Sequence, residues 1–238
     1  MRCTLRTGVT RCSCVALVAA ALPLAAGQQP APRPWLTVFE IGPASTATTG
    51  RNPYFVLEPG YQLTLEGRED GTIVRLVITV LDETKVVGGV ETRVVEERET
   101  HGGALAEVSR NYFAVNAETR ALYYFGEDVD SYRNGRVVNH DGAWHHGTGG
   151  ARFGMMLPGT PSVGMRYYQE QAPGAAMDRA EVVSVSETLI APAGTFSKCL
   201  RTEETTPLEP KTKEDKVYAP GVGLVKDGAL ELVSWTKR

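Results

Sequence analysis

Three of the protein's four histidines, His140, His145 and His146, fall within one short stretch that also holds Asp141. Neutral imidazoles and a carboxylate are good ligands for zinc or copper, so His140, Asp141, His145 and His146 form a candidate metal group. Their spacing matches neither H-E-x-x-H nor a cysteine-pair zinc pattern, and a histidine-rich surface loop is the simpler reading. Just upstream, Glu127, Asp128 and Asp130, with Asn134 behind them, resemble the first half of a calcium loop. The glycine and glutamate that would complete such a loop are missing, which favours a solvated acidic turn. The paired carboxylates Glu96-Glu97 and Glu203-Glu204 sit in strand-like segments. Neighbours along a strand face opposite sides, so the two members of one pair are poor candidates for a shared acid/base site. No G-x-S-x-G, P-loop or dinucleotide-binding glycine pattern is present. Binding is expected here rather than catalysis.

A second group is aromatic. Tyr123, Tyr124 and Phe125 are adjacent, and Trp144, Phe153, Met155 and Tyr168 follow in the next segments. Alternation puts Tyr124 on one face of its strand and its neighbours on the other. A concave sheet lined by Tyr124, Trp144, Phe153, Met155 and Tyr168 would suit an apolar or lipid-like ligand. An ordinary core would use the same residue types.

The elements that must position these groups are strands. Tyr61, Leu63 and Leu65 alternate with polar residues, then Val74, Leu76, Ile78 and Val80 share a face after a turn at Glu69-Asp70-Gly71. Gly88-Gly89, Gly102-Gly103 and Asn134-Gly135 mark further hairpins. Asp141 to Gly164 has no period and reads as a long crossing loop, and Ala172–Arg179 hints at a helical turn. Short strands from 166 to 235 complete the set, the later ones opened by the corners PAGTF (192–196) and YAPGVGLVK (218–226). The expected fold is all-β: a strongly curved antiparallel sheet or incomplete β-barrel, meander-like, with little helix.

The ends point to export. Arg2, Arg6 and Arg11 precede a short apolar run, Cys12–Ala26, and small residues then lead into Gln28-Gln29. This is the layout of a secretory signal peptide over residues 1–27, with a run too short to span a membrane as a helix. Gln28–Arg51 reads as a Pro/Thr-rich tether in which Trp35–Ile41 could form a strand or dock on the body, and 52–238 as one β domain. Cleavage would remove three of the four cysteines and leave Cys199 without a disulfide partner. It would also take the formal net charge from −3 to −6, which argues against a nucleic-acid partner.

The segments NPYFVLEPG (52–60), FGEDVD (125–130), PAGTF and YAPGVGLV together resemble a group of uncharacterised exported bacterial β-rich proteins. Some of that group are similar to the lipoprotein-carrier (LolA-like) fold, an incomplete curved barrel over a hydrophobic cavity. The resemblance implies a scaffold and brings no catalytic residues. Taken together, these features lead to the expectation of a secreted or periplasmic binding protein for an apolar or lipid-like molecule, with no required cofactor. The alternatives are a zinc- or copper-dependent hydrolase using the His140–His146 loop, and a cell-envelope interaction module with no small ligand.

Overall fold

The computed structural model describes residues 32–41 and 43–237, so the expected signal peptide lies outside the described residues. Strands dominate. Thr46–Ala47 (β1) is followed by a small hairpin, Gly50–Asn52 (β2) and Phe55–Leu57 (β3). A meander of long strands comes next: Tyr61–Glu69 (β4), Thr72–Val87 (β5), Val90–His101 (β6), Ala104–Asn116 (β7) and Leu122–Arg133 (β8). Five shorter pieces follow: Arg136–Asn139 (β9), Trp144–His145 (β10), Arg152–Leu157 (β11), Arg166–Tyr168 (β12) and Glu170–Gln171 (β13). A second meander ends the chain: Arg179–Ala191 (β14), Gly194–Thr206 (β15), Glu209–Ala219 (β16), Gly223–Asp227 (β17) and Leu230–Lys237 (β18).

All pairings among these strands are antiparallel, and β18 joins the two meanders by pairing with β4. The sheet path begins at β12 and ends at β13, which only Gln169 separates. The sheet has therefore curled until its two ends lie on one stretch of chain. The result is a barrel closed except for one seam. Gly154 makes the approach at this seam possible, because a Cβ there would lie 2.3 Å from the Gln169 carbonyl oxygen.

Residues Trp35–Ile41 dock against the seam. Leu36 forms a parallel bridge with Tyr167: its amide donates to the Arg166 carbonyl (2.9 Å) and its carbonyl accepts from the Tyr168 amide (3.0 Å). The Gln171 side chain donates to the Thr37 carbonyl at 2.8 Å. The guanidinium groups of Arg166 and Arg179 lie over the Trp35 ring at 4.1 and 4.5 Å. This part of the expected tether thus belongs to the body, which also includes β1, ahead of Asn52.

Directly opposed residues in an antiparallel sheet share a face, so register sorts inside from outside. Leu63, Ile78, Glu97, Ser109 and Val129 form one inward row, and Leu65, Leu76, Glu99 and Glu107 form another. The outward rows carry ion pairs such as Arg75–Glu66, Arg110–Glu96 and Arg201–Asp215, a surface suited to water. One end of the interior is filled by the β2–β3 hairpin, whose Val56 and Leu57 are buried with Leu200, Tyr218, Leu224 and Leu232. Asn52 anchors that plug: its side-chain amide donates to the carbonyls of Arg120 (2.8 Å) and Pro158 (3.1 Å).

Two local expectations are corrected. The 141–164 stretch is not a plain loop, since β10 and β11 both pair with β8, which runs unbroken from Leu122 to Arg133. Ala172–Arg179 makes no helical turn; an Ala172–Ala176 bridge closes a tight reversal there. Its pattern was too short to commit the chain to a helix without packing.

Candidate functional site

The end of the barrel away from the plug is open and acidic. A solvent-accessible chamber of about 380 Å³ lies there, lined by Glu127, Asp178, Glu204, Glu214 and Lys216 among others. Strand register explains how these side chains meet. Tyr167 opposes Ala180, which opposes Glu204, which opposes Glu214, so these four share one inward row. In the next row Thr202 opposes Lys216, which opposes Asp227. On the facing wall, Val95, Asn111, Glu127 and Trp144 form a row beside that of Glu97.

The carboxyls are graded by depth. Glu170 and Glu204 are buried, Glu97, Glu127 and Asp227 are half-buried, and Glu107, Asp178 and Glu214 stand exposed at the rim. Burial pushes the carboxyls of Glu97 and Glu127 up to about 7. Lys216 moderates the rise at Glu97, while the Tyr124 hydroxyl and then the Trp144 indole do so at Glu127. Glu170 lies well above the usual carboxylate range through burial and then the Asp178 charge, although its oxygen accepts the Asp178 amide at 2.6 Å. Glu107 and Glu214 are also raised by burial.

Lys216 is the ammonium set among them, 3.4 Å from Glu204 and 3.5 Å from Asp227. Burial alone would lower its pKa, but the charges of Glu204 and Asp227 overcome this and hold it well above its ordinary value. One ammonium among this many carboxyls leaves the chamber short of positive charge.

Its deep wall also carries unpaired polar atoms. The Tyr167 hydroxyl and Gln169 Oε1 are buried without a hydrogen-bond partner, as is Trp144 Nε1. Gln169 uses its amide nitrogen to donate to Glu204 Oε1 at 3.0 Å, so its free oxygen lies on the same side chain that borders the chamber. Tyr167 and Tyr218 both sense the Glu204 charge. Such orphaned groups are rare in folded proteins and mark places where a further partner fits.

Of the residues expected to contact a ligand, Tyr124 and Trp144 meet on this inner side, their rings 5.2 Å apart and perpendicular. Tyr124 donates to Asn111 Oδ1 at 2.6 Å. Phe153 and Met155 do not join them. They lie on the opposite face of the sheet, where Phe153 stacks on Phe125 at 5.0 Å and Met155 pairs with Tyr123. Alternation along β11 requires that separation, with Gly154 as the residue behind Tyr124. Tyr168 is also elsewhere, edge-on to Trp35 at the seam.

The four candidate metal ligands are drawn to different partners. His140 Nδ1 lies 2.8 Å from Asp130 and 2.9 Å from the Val129 carbonyl. His145 joins an outer cluster in which Asp128 meets His145 Nε2 (2.9 Å), Lys85 Nζ (2.9 Å) and the Tyr112 hydroxyl. His146 packs edge-on to Phe153, and Asp141 sits in an exposed turn. Among the described residues, no three His, Cys, Asp or Glu side chains gather closely enough to hold one metal ion. Burial opposes ionisation of Asp128, but Tyr112 and Lys85 outweigh it and keep the carboxyl below its usual range. This outer cluster fastens the histidine loop to the barrel wall.

Sequence reasoning did not single out Glu97, Glu204 and Lys216. The usable signal was that each paired carboxylate must turn one member inward. Comparison with protein-family models, curated proteins and solved structures finds no match for the chain.

Proposed function

We propose that the protein is an exported binding protein that holds a polar small molecule in the open mouth of its barrel. The observation that carries this reading is the chamber itself. Its volume falls at the low end of the roughly 300–1,000 Å³ typical of ligand pockets, and buried unpaired polar atoms lie at its deep wall. The arginine-led apolar leader supports export. An apolar ligand, as the sequence led one to expect, would need room at the other end. The apolar-lined recess there, between Phe55, Tyr61, Ile78 and Val222, holds only about 10 Å³. That is about the space of one water molecule.

The test is a thermal-shift screen of amines, sugars, carboxylic acids and lipids, repeated on Ala176→Trp, which places a bulky ring in the chamber lining. A ligand whose stabilisation disappears in that variant supports the reading. A ligand that stabilises both proteins equally binds elsewhere and overturns it.

A further inference from the structure

The chamber is chemically lopsided, and the imbalance defines its ligand. Carboxyls approach from both walls: Glu97 and Glu127 from the first meander and its extension, Glu204 and Glu214 from the second. They sense one another across the space, since Glu97 feels Lys216 and Asp227, and Glu170 feels both Glu127 and Glu204. A single divalent metal does not match this arrangement, because the carboxyls are spread around the chamber and no three converge on one point. Spread carboxyls match a cation whose charges are also spread.

The unpaired atoms add an independent indication. Gln169 is 3% exposed and Tyr167 fully buried. Gln169 Oε1 is an acceptor without a donor, beside the carboxylate its own amide holds. The Tyr167 hydroxyl, in the same row as Glu204, can also accept. An ammonium group supplies up to three N–H donors and the missing positive charge together. Resting on the reading of the mouth as a binding site, we propose that its ligand is an organic cation with two or more amine groups, bound between the Glu127 and Glu204–Glu214 walls.

Spermidine is a suitable probe, measured by titration calorimetry on the mature chain at pH 7.5. One saturable site is expected, with affinity about tenfold or more lower in Glu127→Gln/Glu214→Gln; losing one charged hydrogen bond is commonly enough for that factor. Both substitutions keep side-chain shape, and a cooperative melt at pH 5.5 checks that the variant folds. Glu203→Gln, on the outer face opposite Glu204, should bind as the parent does. Affinity should also weaken at pH 5.5, where Glu97 and Glu127 hold protons. Lys216 and Asp227, which face Glu97, and Glu107, which faces Glu127, contribute to the same field.

Equal stabilisation by choline or sodium at matched ionic strength would show general charge screening and overturn the proposal. So would equal loss of binding in Glu203→Gln. If a neutral or anionic compound binds in the mouth and spermidine does not, the binding reading stands and the cation assignment falls.

Discussion

The two ends of this barrel are built from the same strands and do opposite things. At the plugged end, inward positions of β4, β5 and β15–β18 carry Leu63, Ile78, Leu200, Leu224 and Leu232, and the β2–β3 hairpin fills the remaining space. Further along the inward faces of β6, β8, β15 and β16 stand Glu97, Glu127, Glu204, Glu214 and Lys216, around a chamber that remains open. Buried apolar area drives assembly of the first end, whereas the second adds like charges in a partly dehydrated space, which is unfavourable. The closed end therefore stabilises the shape in which the open end is held. Binding sites are commonly arranged this way, with local instability carried by a stable scaffold.

The contrast can be broken most severely at Lys216. Lys216→Met removes the ammonium between Glu204 and Asp227 and should cost about 3–5 kcal/mol at pH 7.5, because a buried pair loses one partner. Urea unfolding would measure it, and the loss should shrink at pH 5 as the neighbouring carboxyls gain protons. At the other end, Leu57→Ala should cost about 2–5 kcal/mol by opening a cavity in the plug. That loss should be the same at pH 5 and pH 8, since the surroundings are apolar.

The parent protein should itself lose stability as pH rises from about 5 to 8. Glu97 and Glu127 have folded-state values near 7, above their unfolded range, so the native state holds more protons across that window. Stability that proton binding supplies is thus lost with rising pH. Glu127→Gln should flatten this slope and raise stability at pH 8 by about 1 kcal/mol, read from melting at a series of pH values. The smallest effect is expected outside the barrel: Arg201→Ala breaks a half-exposed pair with Asp215 and should change stability by less than about 1 kcal/mol.

Much of the scaffold was legible in the chain. Alternation identified Leu63, Leu65, Leu76 and Ile78 as one face, and the glycine turns separated β4 through β7 correctly. The stretch from 141 to 164 was not legible because β11 is defined by partners far away, β8 on one side and Glu170–Gln171 on the other. The candidate site was only half legible. Tyr124 and Trp144 do meet, but Phe153 and Met155 are one step out of phase with Tyr124 across the ladder. Clustering in sequence gathered the histidines on paper, yet each found a nearer partner: Asp130 for His140, Asp128 for His145 and Phe153 for His146. Glu96-Glu97 and Glu203-Glu204 did split between faces as alternation requires. Their inward members then came to line one interior, a relation between strands that no local spacing records.

What the sequence by itself determined are the strands and their turns. These follow from local demands: a period of two along each strand, and residues that tolerate positive φ, as Asp70-Gly71 (47° and 81°) and Asn134-Gly135 (53° and 73°) do. The tertiary structure alone decided which inward side chains face one another. That depends on how far the whole sheet curls, on the β18–β4 junction and on the close approach at Gly154. Only with the sheet curled do carboxyls from both meanders enclose one space, and only there do burial and mutual repulsion change what they can bind.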